Sequence, residues 1–430
     1  MARGKNTSLT SMRPATMVLA GLFVIAMAAS SAAQTFAVLH SFTGGNDGGN
    51  PAAGLTFDRG GHLYGTTYQG GVNNACFEGR GCGTVYRMTP HGSSWLFAPL
   101  YSFTDSNNDG GFPSSTVTVG PDGSLYGAAG DSVYNLKPPP TSPKSVFTPW
   151  TESLVYLFSD PPNGESPRGV VTFDAGGNLY GTTQYGGLLM GGCSGFGCGT
   201  AYELTRSGQG WTENVLFKFP YTASGPVAGM TMDTYGNLFA TTVLGNGGGT
   251  SGGIIELSNS GAGWAGNLLH TFTGSSNGQY LYGGLVLDPA GNLYGGTVTG
   301  GSHGGGTIFQ LSPSAGGWTM TTLYEFPGSG LSGPWASLIV DSVGNLYGTT
   351  KGDGAYGLGS VFKLAPGDGG WTLTTLHDFT GGDDGANPES SLVMDAAGNL
   401  YGTTYAGGQT GGRCDSTYGY QCGVVFEMAP

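Results

Sequence analysis

The segment Leu-Tyr-Gly-Thr-Thr recurs along this chain, with its aromatic residue at Tyr64, Tyr126, Tyr180, Phe239, Tyr294, Tyr347 and Tyr401. Successive copies lie 62, 54, 59, 55, 53 and 54 residues apart. A period of this size makes each copy one supersecondary unit that buries its apolar surface only against neighbouring copies. Each copy reads as four short strands. The first is a brief apolar run such as Gly284-Leu285-Val286-Leu287. A turn of the form Asp-x-x-Gly-Asn follows, as at Asp395 to Asn399. Its Asp can accept a backbone hydrogen bond and its Gly can take positive φ, which closes a hairpin. Leu-Tyr-Gly-Thr-Thr is the second strand. A glycine-rich loop leads to the third, Gly83 to Met88 or Gly359 to Leu364. The fourth begins with Trp and ends in an aromatic pair, as in Trp371 to Phe379.

The fourth strand fixes the register. Trp95, Trp150, Trp211, Trp264, Trp318 and Trp371 are each followed six residues later by Tyr101, Tyr156, Phe217, His270, Tyr324 or His377. An even offset puts both side chains on one face of a strand. Four antiparallel strands repeated seven times specify an all-β, seven-bladed β-propeller. The stretch Phe36 to Phe42 reads as a fourth strand and Gly423 to Met428 as a third. The N-terminal strand is therefore expected to join the last blade, closing the ring and removing exposed sheet edges. An open solenoid would carry atypical capping repeats, and none is visible. Within Leu-Tyr-Gly, Tyr points opposite to Leu and Gly. The tyrosine of one blade is expected to fill the space over the glycine of the next.

Composition agrees. The 430 residues include 85 glycines, with 12% aromatic and 10% charged residues. Collagen needs glycine at every third position, and disorder needs many charges and few aromatics. Residues 1–33 have the form of a secretory signal peptide: basic Arg3, Lys5 and Arg13, an apolar run from Met17 to Ala29, then Ser31-Ala32-Ala33 before Gln34. Residues 34–430 form the single propeller domain. Without the leader the chain has 14 − 3 = 11 basic against 27 acidic residues, a net charge of −16. That argues against nucleic acid and anionic membrane surfaces, which need basic patches. No second apolar stretch suits a membrane span. A secreted monomer is expected.

The six cysteines form close pairs, Cys76/Cys82, Cys193/Cys198 and Cys414/Cys422. Export permits disulfides. Zinc would want further Cys or His ligands inside these loops, and there are none. Each bridge closes a short loop, worth roughly 2–2.5 kcal/mol at best on the chain-entropy model.

Gly-Asn-Leu-Tyr-Gly-Thr-Thr, followed by a glycine loop and Gly-Thr-Val-Phe-x-Leu, resembles the GloVer-type (choice-of-anchor) tandem repeat of exported bacterial proteins. The resemblance covers residues 36–430. It implies a repeat architecture and export, and supplies no catalytic residue. Members often end in a sorting tail. This chain stops just after Met428, so free secretion is expected.

The glycine loops and inter-blade linkers share one face, and binding residues usually sit on such loops over a rigid scaffold. The cysteine-paired loops carry Tyr68, Phe77, Arg80, Tyr185, Phe196, Tyr405, Arg413, Tyr418 and Tyr420. Aromatics and arginines there suit sugar rings or a protein partner. His303 lies in a glycine loop. Trp335 breaks the repeat pattern and reads as a binding residue or a plug over the central channel. His40, His270 and His377 stand where other copies have Tyr, a structural slot. Asp47, Asp383 and Asp384 offer oxygens to Ca²⁺ without the full spacing of a calcium loop. Turn chemistry accounts for them, so no cofactor is expected. No Gly-x-Ser-x-Gly or His-Glu-x-x-His motif is present. The reading is a non-catalytic secreted scaffold binding a polysaccharide, cell-envelope component or protein through its loop face. The alternative is a propeller-type lyase or glycoside-active enzyme with its site at the channel mouth.

Overall fold

In the computed structural model, each Asp-x-x-Gly-Asn segment closes a hairpin, and in blades three, five, six and seven its aspartate also anchors the tyrosine behind it. Asp341 Oδ1 accepts from the N–H of Val343 at 3.0 Å and of Asn345 at 2.9 Å. Its Oδ2 accepts from Asn345 Nδ2 at 2.7 Å and from the Tyr347 hydroxyl at 3.2 Å. Gly344 takes φ of +92°, which a side chain would resist.

The chain divides into Met1–Ala33 and Gln34–Pro430. The structure describes Met1 and residues 34–429, except 73–75, 77–78, 106–108, 141–148, 160–161, 190–192, 194, 209, 246–250, 275, 329, 410–413 and 415–420. Residues 2–33 of the segment expected to be a signal peptide, and Phe77, Arg413, Tyr418 and Tyr420, lie outside the described residues.

Strand order follows the repeat. In blade six, Ile339–Val340, Leu346–Thr350, Ser360–Gly367 and Gly370–Asp378 pair in sequence, all antiparallel. Seven such sheets form the ring. Thr35–Ser41 pairs with Val424–Ala429, so the N-terminal strand completes blade seven as expected. Blade three has one addition, Glu165–Pro167, which pairs with the extended strand Leu179–Tyr185.

The core lies between the blades, as seven clusters at seven junctions. At six of the seven junctions the repeat aromatic packs there against the tryptophan of the next blade; the fourth strand of blade seven, Thr35–Ser41, has none. Tyr180 meets Trp264 at 6.3 Å between ring centroids, and Tyr401 meets Trp95 at 5.6 Å. The expectation that tyrosine covers the next blade's glycine is therefore corrected. The turn aspartate holds the tyrosine hydroxyl, which directs the ring toward the tryptophan. The glycine instead faces its cross-strand partner on the third strand, as Gly348 faces Phe362. A Cβ on Gly348 would lie 2.7 Å from Phe362 Cζ and 2.7 Å from Leu338 Cδ2. Blade four has Ala240 opposite Ile255, a larger residue matched by a smaller one.

A second correction concerns the fourth strand. Every blade has a register shift in its fourth strand, just before the residue six positions after Trp in blades one to six, as between Val361 and Phe362 in blade six, and just before His40 in blade seven. The strict alternation assumed from the even offset is interrupted, since a bulge inserts one residue. The inserted residue is apolar and joins the inter-blade core, as Leu376 and Leu216 do. The aromatic after it can rest on the next blade's fourth strand: His377 stacks on Phe36 at 3.8 Å and His40 on Phe97 at 3.9 Å. His40, His270 and His377 fill this slot, with Nε2 bonded to Asp47, Asn277 and Asp384 at 3.2, 3.2 and 3.1 Å.

The junction of blades one and two has a carboxylate, Glu152, two residues after its Trp, where blade one has Phe97. Burial, then the charge of Asp109, raises Glu152 to about 7. Folding therefore favours its neutral form. Its cost is absent below the ordinary value of 4.5 and complete above about 7. The stability gain of Glu152→Gln over wild type should be larger near pH ~8 than near pH ~5; a pH-independent difference in melting temperature would contradict this. Gly348→Ala should cost about 1–3 kcal/mol by overpacking. Adding Phe362→Ile, the blade-four solution, should recover part of it, with a coupling of about 0.5–3 kcal/mol in chemical denaturation. Additive losses would refute the packing assignment.

Candidate functional site

One repeat position is presented to the central channel by closely similar local devices and yet differs in every blade. The linker reaches a residue in the left-handed region: Asn50, Phe112, Ser166, Gly225, Tyr280 and Asn387 have φ between 53° and 66°. Gly333 is the exception. Proline then follows at 51, 113, 167, 226, 334 and 388, with Leu281 in blade five. Left-handed backbone turns the chain inward and proline fixes the next step. The residue after it lines the channel. Around the ring these are Ala52, Ser114, Arg168, Val227, Tyr282, Trp335 and Glu389.

The first threonine of Leu-Tyr-Gly-Thr-Thr holds this tier from the preceding blade. Thr403 Oγ1 donates to the Ala53 carbonyl at 3.1 Å, Thr182 to Ala228 at 2.9 Å and Thr349 to Ser390 at 3.1 Å. The residue after the second threonine forms an outer tier that includes Tyr68, Gln184, Val243, Lys351 and Tyr405. Its N–H bonds to the carbonyl of the residue before the proline, as Tyr405 does to Asn387 at 3.1 Å and Lys351 to Gly333 at 3.3 Å.

The two tiers meet on one side of the mouth. Tyr282 and Trp335 stack with centroids 4.4 Å apart and planes 8° from parallel. Lys351 Nζ sits 3.9 Å from the Trp335 ring centroid. A stacked ring and an ammonium at these distances cannot share one face, so both faces of Trp335 are covered. Lys351 Nζ also meets Glu389 Oε1 at 2.6 Å. Burial, then the neighbouring Tyr280, raises Tyr282, which stays a neutral donor at physiological pH. Trp335 Nε1 is buried with no partner among the described residues. The cavity at the mouth holds about 120 Å³.

A second cavity of about 200 Å³ adjoins it, with Tyr282 and Val227 common to both. Gln184, Tyr185, Cys193 and Ser224 line its other sides. Tyr185 meets the exposed Phe196 at 5.6 Å. The bridge Cys193–Cys198 holds the loop that carries Phe196. Cys76–Cys82 and Cys414–Cys422 are likewise bridged.

Five residues singled out from sequence thus lie at or beside the mouth: Trp335, Tyr185, Phe196, Tyr68 and Tyr405. Tyr68 packs on Phe112 at 5.5 Å. The structure keeps two others apart. Arg80 belongs to the bridged turn, where its N–H donates to the Cys76 carbonyl at 3.1 Å. His303 is exposed at the outer edge of blade five, its Nδ1 2.9 Å from Ser302 Oγ, and Ser302 bonds Glu325. Asp47 and Asp384 are occupied by their own turns, accepting from the N–H of Thr43 at 2.9 Å and of Thr380 at 3.0 Å. Among the described residues no group of three or more His, Cys, Asp or Glu is arranged to hold a metal ion. Sequence reasoning missed Arg168, Tyr282, Lys351 and Glu389. Aligning the linkers on their proline and asking which position varies most would have found Arg168 and Glu389, whereas Tyr282 follows Leu281 and Lys351 lies outside the linkers.

Fold and site together define a seven-bladed propeller with one asymmetric mouth. Residues 250–430 match the Gloeobacter/Verrucomicrobia repeat, in line with the resemblance read from the motif. No curated protein matches the chain. Among solved structures it is similar to the extracellular domain of a hybrid two-component system from B. thetaiotaomicron, with 11% identity and a TM-score of 0.54. The match covers 91% of this chain and 39% of that one. A second such domain from the same organism gives 10% identity and a TM-score of 0.51, covering 92% and 41%. A protein described as a 6-phosphogluconolactonase from Bacteroides uniformis gives 14% and 0.50, covering 76% and 84%. At these identities the likeness is one of fold. The chain spans about two fifths of the sensor chains it matches. Among the described residues no helix is long and apolar enough to cross a membrane.

Proposed function

We propose that the protein is a secreted, non-catalytic scaffold that binds an extracellular saccharide at the linker-side mouth of its channel. The observation that carries this reading is the inner tier. The strands and turns of the blade repeat in kind, whereas the inner-tier position facing the channel is Ala, Ser, Arg, Val, Tyr, Trp and Glu in turn. Departure from symmetry at a concave place where all seven blades converge is what a single ligand site on a symmetric scaffold requires. Aromatic side chains with a few charged groups suit a sugar, which offers apolar ring faces and hydroxyls. Glu389 is the one carboxylate of the inner tier, and Lys351 already engages it. That favours a positioning role for Glu389 over proton transfer. The extracellular sensor domains that share the fold fit a binding module outside the cell.

The test is calorimetric titration of the 34–430 protein with a panel of soluble polysaccharides. Tyr282→Ala should weaken binding at least about tenfold, equivalent to about 1.4 kcal/mol. Arg59→Ala, on the opposite face, should leave it unchanged. Equal affinity of wild type and Tyr282→Ala would refute the site. New reducing ends released from a polymer, and lost in Glu389→Gln, would refute the non-catalytic reading.

A further inference from the structure

The mouth is chemically lopsided in a way that narrows its ligand. The chain as a whole carries a net charge of −13. The two tiers around the channel carry Arg168 and Lys351 against Glu389 alone, 2 − 1 = +1. Lys351 is committed twice, to Glu389 and to the face of Trp335. Arg168 is exposed and makes no ion pair among the described residues; its one bond is from Nε to Ser166 Oγ at 3.4 Å. A guanidinium with open donors is suited to bidentate capture of an oxyanion.

Arg168 is also the best positioned of the inner-tier residues. It follows the extra strand Glu165–Pro167 of blade three. There Glu165 pairs with Tyr185 and Pro167 with Thr183. Other blades make only a single bridge at this place, such as Ser224 with Leu244. The added ladder fixes the segment before Arg168 against the strand that carries Tyr185. Tyr185 and Tyr282 both line the 200 Å³ cavity. Tyr282 reaches into both cavities, and Arg168 lines the one at the channel. An aromatic slot and an unpaired arginine are therefore joined through one residue.

Resting on the channel-mouth reading above, we propose that the ligand is an acidic saccharide, with a sugar ring between Tyr185 and Tyr282 and a carboxylate or sulfate on Arg168. The net negative charge elsewhere works against loose adsorption of such a polyanion. Recognition would depend on this one cationic point and fall with salt.

The experiment titrates the 34–430 protein with oligogalacturonate, with the same oligomer fully methyl-esterified, and with a sulfated oligogalactan. Methyl esterification removes the charge and little else. The acid form is expected to bind at least about tenfold more tightly than the ester. Arg168→Gln should erase that preference while its melting temperature matches wild type. A preference for the sulfated oligomer, equally lost in Arg168→Gln, supports the oxyanion site and names sulfate as its source. Equal binding of acid and ester by wild type overturns this inference and leaves the channel-mouth reading standing. A preference that survives Arg168→Gln overturns the assignment to Arg168. Binding of none of the three overturns the inference, and failure of the wider polysaccharide panel would overturn the reading beneath it.

Discussion

The contact between the repeat aromatic of one blade and the tryptophan of the next, made at six of the seven junctions, is what the rest of the structure depends on. A four-stranded blade has two apolar faces and no core of its own. Each blade therefore turns one face to either neighbour, and the ring is stable only when closed. The tyrosine is fit for this because its two ends do different work. Its hydroxyl is held by the turn aspartate six residues earlier, as in Tyr294 with Asp288 at 3.0 Å. Its ring lies edge-on to the tryptophan of the following blade, as with Trp371 at 6.3 Å. Hairpin geometry and blade packing are thus set by one side chain. Closure by Thr35–Ser41 follows the same logic. His40 and Phe36 fasten that strand to blades one and six as other aromatics fasten other junctions.

A ring built this way separates structural from functional positions. Residues that face neighbouring blades are constrained by seven similar environments. Volume is matched locally, with Gly opposite Tyr or Phe in six blades and Ala opposite Ile in the seventh. The residue after the linker proline faces the channel and has no such partner. It can vary without cost to the ring, and there Arg168, Tyr282, Trp335 and Glu389 gather. The left-handed backbone at Phe112, Ser166 and Tyr280, residue types that adopt it rarely, lies two positions before this tier.

Much of the architecture was legible in the sequence because repetition exposes it. Blade number, strand order, hairpin turns and closure by the N-terminal strand all follow from motif spacing. The bulge before the paired aromatics was not legible. An even offset is the same whether or not a residue is inserted, and only the partner strand reveals it. The tyrosine's true neighbour was missed for a related reason. Alternation says which face a side chain takes and not what lies opposite. At the site, Trp335 stood out because tryptophan is otherwise confined to one repeat position. Arg168, Tyr282 and Glu389 are ordinary residues in linkers of unequal length. Their convergence is a property of the closed ring. Lys351 gains its meaning only from a neighbouring blade.

The central claim is that a ring made uniform by packing carries one ligand site, where the channel-facing tier departs from symmetry. A crystal structure of the 34–430 protein with bound oligogalacturonate tests it most directly. The account predicts a sugar ring between Tyr185 and Tyr282 with its carboxylate within hydrogen-bonding distance of the Arg168 guanidinium, about 2.7–2.9 Å. Saccharide bound on the opposite face, at the Asp-x-x-Gly-Asn turns, with the mouth empty, would contradict it.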